Sequence, residues 1–194
     1  MRNWNDDPFT KKARREDYAA RSVYKLEEID RREKLLKGAK LVLDLGAAPG
    51  SWTQYCLKTL PSARIVAVDL SPLEVRHPNL TFLHGAIEEV PLAEALEGKK
   101  ADVVLSDMAP RTSGQSERDV ALSCGLAEFA LEMAKLHLKP GGSFVAKLFM
   151  GEGFEEFRAS LRACFASVSM LRPESTRKHS REIFFVAKGF KPVE

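Results

Sequence analysis

Lys147 is the residue whose place in the sequence most strongly suggests chemistry. It follows residues 143–146, an apolar run typical of a buried strand, and a buried ammonium group is costly unless it is paired or used. Burial favours the neutral amine, which can accept a proton, whereas a nearby carboxylate favours the charged form. Asp107 ends another predicted strand and could be that carboxylate. Lys147 could therefore take a proton or stabilise a developing negative charge.

A loop of small residues forms a second candidate site. Residues 46–50, Gly-Ala-Ala-Pro-Gly, follow an apolar run and precede a predicted helix, and small residues let a ligand approach the backbone closely. The loop lacks the G-x-G-x-x-G spacing that binds a pyrophosphate, which argues against a NAD or FAD enzyme. Asp69 ends the next predicted strand, where a carboxylate commonly binds ribose hydroxyls. The pattern predicts a pocket for a nucleoside without a pyrophosphate, such as S-adenosylmethionine; the alternative is a plain strand-to-helix turn.

Apolar runs alternate with helical patterns along the chain, which predicts an α/β fold whose mostly parallel sheet has helices on both faces. The last run leaves no room for a helix before it, so we expect an antiparallel last strand. Ligands bind such sheets beyond the carboxyl ends of the strands, where Asp44, Asp69, Asp107 and Lys147 all fall. The predicted strands are 41–45, 64–70, 80–83, 102–106, 142–149, 167–171 and 182–187, and the predicted helices are 22–33, 51–60, 91–97, 118–138 and 153–163.

Basic residues are concentrated at the two ends of the chain. Residues 1–40 carry 12 basic and 8 acidic side chains and residues 172–194 carry 6 and 3, whereas residues 41–171 carry 12 and 16. If the fold brings both ends to one face, they form a patch suited to a polyanion such as RNA. A solvated helix and a charged tail are the alternative.

The length of 194 residues predicts a single domain over residues 1–194. Within it, residues 1–40 are expected to form a basic arm and helix. The arm, residues 2–10, is expected to be loose, and the helix is expected to be capped by Ser22 and ended by Gly38.

The composition is that of a globular protein, with 44% hydrophobic and 29% charged residues, and it argues against disordered or collagen-like chains. The three cysteines lie far apart and the four histidines show no metal-ligand spacing, so we expect no disulfide framework and no metal. Without an apolar run of about 18 residues or a signal core, we expect a cytoplasmic protein with no membrane partner. The sequence shows no long apolar stripe of the kind that would indicate an obligate dimer, so we expect a monomer.

Taken together, the motifs resemble the FtsJ-like (RrmJ-type) ribosomal RNA 2′-O-ribose methyltransferases. The resemblance covers about residues 15–190, and its motifs, in the family's order, are residues 21–29, 44–52, 106–110, 140–147 and 180–182. It implies a Rossmann-like S-adenosylmethionine-dependent methyltransferase fold. It also implies 2′-O-methylation of a ribose, that of a uridine, in large-subunit ribosomal RNA, with the RNA bound inside the large ribosomal subunit.

The resemblance also implies roles for individual residues. Without it, Lys25 reads as a surface charge, and Glu182 reads as a strand acid that pairs with Arg181 or Lys188. With it, a Lys-Asp-Lys-Glu tetrad around the transferred methyl group would be Lys25, Asp107, Lys147 and Glu182. The implied cofactor contacts are Gly46, Gly50, Trp52, Asp69 and Asp107.

One cofactor contact that the resemblance implies is missing. The family usually has an Asp where this chain has Ala86, and that acid would hold the amino group of adenine. Glu88 or a backbone carbonyl could replace it.

The resemblance and the residues leave three other functions open. A relative that methylates transfer RNA is the alternative within the class, and a noncatalytic RNA-binding protein with the same fold is a second. A nicotinamide dehydrogenase is the third.

Two polar segments are expected to face the substrate. Residues 111–116 are expected to border it, and residues 172–179 resemble the family's RNA-facing segment.

Overall fold

A seven-stranded sheet forms the centre of the computed structural model, which describes residues 7–110 and 116–192. Its strands are β1 (Leu41–Leu45), β2 (Arg64–Asp69), β3 (Leu80–His84), β4 (Ala101–Ser106), β5 (Leu138–Phe149), β6 (Phe165–Leu171) and β7 (Glu182–Phe190). They lie in the order β3-β2-β1-β4-β5-β7-β6. β7 runs antiparallel to β5 and β6, while the neighbours from β3 to β5 are parallel. The predicted α/β class with an antiparallel last strand is confirmed.

Helices cover both faces of this sheet, as predicted. They are α1 (Pro8–Arg15), α2 (Val23–Glu33), α3 (Ser51–Thr59), α4 (Leu92–Ala95), α5 (Ser116–His137) and α6 (Phe154–Cys164). On one face α2 and α3 pack through side chains such as Ile29 and Cys56. On the other face α4, α5 and α6 pack through Leu92, Leu131 and Phe157. None of the helices in the described part of the chain is both long and apolar enough to span a membrane.

The segment predicted as a loose arm contains the helix α1. The carboxylate of Asp7 accepts hydrogen bonds from the backbone N–H and the hydroxyl of Thr10, at 2.8 and 2.9 Å. Pro8 occupies the first helical turn. Asp followed by Pro is a favourable start for a helix, so the prediction of a loose arm is wrong from Pro8 onward. Residues 2–6 lie outside the described part.

Helix α2 begins and ends differently from the prediction in two details. Ser22 is at the N-cap, but its backbone is already helical and its hydroxyl does not cap the helix. Instead, that hydroxyl hydrogen-bonds to the hydroxyl of Ser51 at 2.7 Å. The helix ends at Glu33 because Lys34 adopts the left-handed conformation, with φ 55°, four residues before Gly38, whose φ is also positive at 77°. Ser22 therefore ties the start of α2 to the start of α3.

Candidate functional site

A pocket of about 650 Å³ opens at the carboxyl ends of β1, β2, β3 and β4. This volume lies within the range of roughly 300–1,000 Å³ that is usual for small-molecule sites. The strands are parallel here, with Leu45 opposite both Val68 and Ser106, so their ends meet at one edge of the sheet. The lining residues are Gly46, Ala48, Val68, Asp69, Leu70, Ser71, Gly85, Ala86, Ile87, Glu88, Asp107, Met108, Ala109, Leu126 and Phe129.

Gly46 allows two walls of this pocket to approach each other. Its φ is +73°, a conformation that other residues rarely adopt. A Cβ atom at this position would lie 2.5 Å from Cγ of Met108. A side chain at position 46 would therefore push apart the loops that follow β1 and β4.

Asp69 is held in place by the backbone around it. Its Oδ2 accepts a hydrogen bond from the backbone N–H of Ala48 at 2.9 Å, and its Oδ1 accepts one from Ser71 at 2.7 Å. Each carboxylate oxygen can accept a further hydrogen bond. The carboxylate is thus fixed at the pocket wall and retains acceptors for a ligand hydroxyl.

Asp44 lies next to the pocket, on β1, and its side chain is fully buried. Oδ2 accepts a hydrogen bond from the hydroxyl of Thr53 at 2.7 Å, whereas Oδ1 has no hydrogen-bond partner among the described residues. Burial raises the pKa of this carboxyl to about 7, and the negative charges of Asp107 and Asp69 add to the effect. Asp69 and Asp107 at neighbouring strand ends make this edge of the sheet favourable to a cationic ligand, whereas burial favours the neutral form of Asp44.

Lys147 and Asp107 contact each other beside the pocket. Nζ of Lys147 donates to the backbone carbonyl of Asp107 at 2.5 Å and to its Oδ1 at 2.9 Å. The lysine side chain is only 6% exposed and that of Asp107 is 18% exposed. Since an amine nitrogen has four bonding positions and one is its carbon, one position remains for another partner.

Lys25 and Glu182 form a second pair, between α2 and β7. The ammonium of Lys25 makes an ion pair with Oε1 of Glu182, and both side chains are less than 15% exposed. Phe184 lies opposite Lys147 in the β5–β7 register, and residues two apart on a strand share a face. Glu182 is therefore a diagonal neighbour of Lys147, about 7–8 Å away between the backbones, within reach of long side chains.

The tetrad residues thus come together as two neighbouring pairs. The alternative pairing of Glu182 with Lys188 is not seen, because Nζ of Lys188 contacts Oε2 of Glu33 at 2.8 Å. Arg181 precedes β7 and is exposed, and no ion pair joins it to Glu182 among the described residues.

Two of the implied cofactor contacts lie outside the pocket lining. Gly50 is the N-cap residue of α3, and a Cβ atom there would lie 2.6 Å from Val75. Trp52 is 2% exposed, and its indole N–H donates to the carbonyl of Ser22 at 2.9 Å. Its ring packs against Phe184 at 5.7 Å between centroids. The structure therefore places the Trp52 side chain in the packing between α2, α3 and the sheet.

The fold brings the two basic ends of the chain together. The backbone N–H of Glu174 donates to Oε2 of Glu28 on α2 at 2.7 Å, and the guanidinium of Arg21 donates to the carbonyl of Ser175. We call residues 172–181 the tail loop. Its side chains Arg172 and Lys178 are exposed, beside the basic residues of α2.

Sequence reasoning missed several residues of the pocket. Leu126 and Phe129 reach it from α5, but their spacing is that of ordinary helical core positions, so no local signal marks them. The predicted substrate-bordering residues 111–115 lie outside the described part. Within the described part, no group of three or more His, Cys, Asp and Glu side chains is arranged to hold a metal ion.

Comparisons with known proteins find relatives over nearly the whole chain. A sequence profile of the FtsJ-like methyltransferases matches residues 18–190. The ribosomal RNA large subunit methyltransferase E of Marinobacter nauticus is 44% identical, over 96% of this chain and 92% of the relative. That of Bdellovibrio bacteriovorus is 43% identical, over 93% of this chain and 94% of the relative. The crystal structure of a ribosomal RNA methyltransferase of Plasmodium falciparum superposes with a TM-score of 0.79 at 30% identity, covering 89% of this chain and 98% of that one.

Proposed function

The chain belongs to the FtsJ-like methyltransferase family, and we propose that it transfers a methyl group from S-adenosylmethionine to a ribose 2′-hydroxyl in large-subunit ribosomal RNA. We propose further that the ribose belongs to a uridine. The family match over residues 18–190 confirms the resemblance that the motifs indicated. The observation that carries the proposal is the hydrogen-bonded Lys147–Asp107 pair beside a nucleoside-sized pocket.

The pocket fits S-adenosylmethionine in shape and charge. Gly46 lines the pocket without a side chain, and Asp69 presents fixed acceptors suited to the hydroxyls of the cofactor's ribose. Asp69 and Asp107, which both line the pocket, suit a ligand that carries positive sulfonium and ammonium groups. When bound, the cofactor supplies a methyl group on a positively charged sulfur, which leaves with the electrons of the broken carbon–sulfur bond. We propose that Gly46, Asp69 and Asp107 hold it.

Lys147 is the proposed partner of the ribose 2′-oxygen. Asp107 occupies two positions of its Nζ and fixes the direction of the third. In the neutral amine that third position is a lone pair, which accepts the hydroxyl proton and passes it to solvent. In the ammonium it is an N–H, which stabilises the negative charge on the oxygen while water takes the proton.

Lys25 and Glu182 are proposed to position the ribose beside Lys147. Their ion pair joins α2 to β7, and the pair is largely shielded from water. An oriented hydroxyl removes much of the entropic cost of the reaction, on the order of several kcal/mol. The neighbouring basic surface of α2 and the tail loop would bind the RNA phosphates.

The test is to incubate the purified protein with methyl-labelled S-adenosylmethionine and with large ribosomal subunits, free ribosomal RNA or transfer RNA. Mass analysis of the digested RNA would locate the label. Lys147→Met keeps the buried apolar stem and removes the amine, so we expect the rate of methylation to fall by about 10²–10⁴-fold. Lys188→Met, on the same sheet but paired with Glu33, is the control and should retain activity.

Label on a ribose of ribosomal RNA that depends on Lys147 would establish the reaction. Label on transfer RNA instead would show that transfer RNA, and not ribosomal RNA, is the substrate. No label on any RNA, although S-adenosylhomocysteine binds, would refute catalysis and favour a noncatalytic RNA-binding role. The assembled subunit as substrate, a monomeric state, a cytoplasmic location and the contacts implied for Gly50 and Trp52 stay predictions.

A further inference from the structure

The pocket extends across the ends of four neighbouring strands, in the order β3-β2-β1-β4. This order shows which end of the pocket receives which part of the cofactor. Asp107 follows β4, beside Lys147 on β5, whereas residues 85–88 follow β3 at the opposite end. Neighbouring strands lie about 4.8 Å apart, so the two ends are separated by three strand spacings. The methyl group must lie near Lys147 to react. The far end therefore receives the part of the cofactor most distant from the sulfur, which is the base.

Asp69 supports this orientation from the middle of the pocket. It ends β2, the strand between β1 and β3, and its fixed carboxylate suits the ribose hydroxyls. A ribose at Asp69 places the attached base one strand further on, against the residues that follow β3.

This end of the pocket offers apolar surface and one carboxylate. Leu70, 73% exposed, and Ile87 can cover the faces of a ring. The carbonyl of Ala86 already accepts hydrogen bonds from the backbone N–H groups of Glu89 and Val90, at 3.0 and 3.1 Å. Both acceptor positions of that carbonyl are used, and the carboxylate of Glu88 is the charged acceptor that this end of the pocket offers to the edge of the base.

We propose that Glu88 accepts a hydrogen bond from the 6-amino group of adenine and makes the pocket selective for adenine. The inference rests on the proposed function, which supplies the cofactor. Glu88 is exposed at the pocket rim, and no cation within the described residues makes an ion pair with it. A carboxylate only accepts hydrogen bonds, so it matches an amino group and repels the oxygen that replaces it in hypoxanthine.

The experiment compares the binding of S-adenosylhomocysteine and S-inosylhomocysteine by isothermal titration, without RNA. The wild-type protein should bind the adenosyl ligand at least tenfold more tightly, a difference typical of one hydrogen bond to a charged group. Glu88→Ala should weaken binding of the adenosyl ligand about tenfold and leave the inosyl ligand unchanged or tighter. Glu88→Gln, which can also donate to an oxygen, should abolish most of the preference. Glu89→Gln, the exposed neighbour outside the pocket lining, is the matched control and should behave as wild type.

Unchanged ligand selectivity in both Glu88 variants, with tight binding of S-adenosylhomocysteine, would overturn the role of Glu88 and leave the proposed function intact. A wild-type protein that binds neither ligand would overturn the cofactor assignment and this inference with it. Because Glu88 is exposed, equal melting temperatures of the variants and the wild type are expected, and they separate a binding effect from unfolding.

Discussion

At the scale of single residues, Asp44 is an acid whose burial inside the sheet costs stability. Its carboxyl is fully buried, and only one oxygen has a hydrogen-bond partner among the described residues. Burial raises its pKa from 3.8 to about 7. In the unfolded chain the same group loses its proton near pH 4, so the folded protein binds the extra proton between these values.

The contribution of Asp44 to folding stability should therefore decrease as the pH rises from about 4 to 7, and Asp44→Asn should remove this contribution. The amide keeps an oxygen for Thr53 and cannot ionise. Relative to wild type, the variant should gain a few kcal/mol between pH 4.5 and 7.5, since one pKa unit is worth about 1.4 kcal/mol. Urea unfolding across this range measures the difference, with Glu27→Gln on an exposed site as the control. Parallel pH profiles for wild type and Asp44→Asn would contradict the prediction.

Trp52 is a second residue whose role can be separated by experiment. Trp52→Phe removes the indole N–H that binds the carbonyl of Ser22 and leaves much of the packing against Phe184. We expect the free energy of unfolding to fall by about 1–3 kcal/mol. The affinity for S-adenosylhomocysteine should stay within about twofold, well below the tenfold change of 1.4 kcal/mol, because the indole packs against Phe184 and the substitution leaves the backbone of residue 52 available for the implied cofactor contact. Urea unfolding and ligand titration measure the two effects. Loss of affinity without loss of stability would favour the cofactor contact that the family resemblance implies.

At the scale of elements, Glu28 fastens the tail loop to α2. It is 8% exposed, and its two oxygens contact the backbone N–H of Glu174 and the guanidinium of Arg32, both at 2.7 Å. Through this contact the basic residues of the loop are held beside those of the helix. The RNA-binding surface is thus proposed to depend on a buried acid.

Glu28→Ala should loosen the tail loop on α2, although the contact of Arg21 with Ser175 remains. We expect a loss of about 1–3 kcal/mol in unfolding free energy from the two lost contacts. RNA binding should weaken, while the affinity for S-adenosylhomocysteine stays unchanged, because the pocket lies at the ends of other strands. Filter binding and ligand titration test this, with exposed Glu27→Ala as the matched control. Equal RNA affinity in both variants would show that the loop position does not matter.

At the scale of the whole molecule, charge is divided between the two faces of the sheet. α2 and the tail loop present exposed basic side chains on one face. On the other face α5 and the turn before α6 line a smaller cleft with three acidic side chains, Glu117, Glu128 and Glu152, against the single basic side chain of Arg181 from the end of the tail loop. A polyanion is attracted to the first surface and repelled by the second.

This division predicts a strong and local salt dependence of RNA binding. The logarithm of the binding constant should fall linearly with the logarithm of salt concentration, and Lys178→Glu on the tail loop should reduce the slope by about 1. Arg162→Glu on α6 makes the same charge change on the opposite face and should leave the slope unchanged. Binding titrations at several salt concentrations provide the comparison. Equal slopes in the two variants would contradict an RNA surface on α2 and the tail loop.

Local sequence determined much of the fold and the part of the candidate site that lies at strand ends. Apolar runs and helical periodicity predicted the strand ends correctly to within a few residues, since a strand buried on both faces must be apolar. Ligands bind beyond the carboxyl ends of the strands in an α/β sheet, so Asp69, Asp107 and Lys147 could be selected from the sequence as candidate site residues. The family resemblance added Lys25 and Glu182, which no local pattern distinguishes from surface charges.

Only the tertiary structure decided which side chains meet. Three sets of contacts join segments that lie far apart in the chain. They are the pairing of Lys25 with Glu182, the packing of buried Trp52 against Phe184, and the position of Leu126 and Phe129 at the pocket. Local propensity carries no information on such contacts, because they depend on strand order and on helices packing across the sheet. The raised pKa of Asp44 has the same origin, since desolvation is a property of the packed interior rather than of the residue.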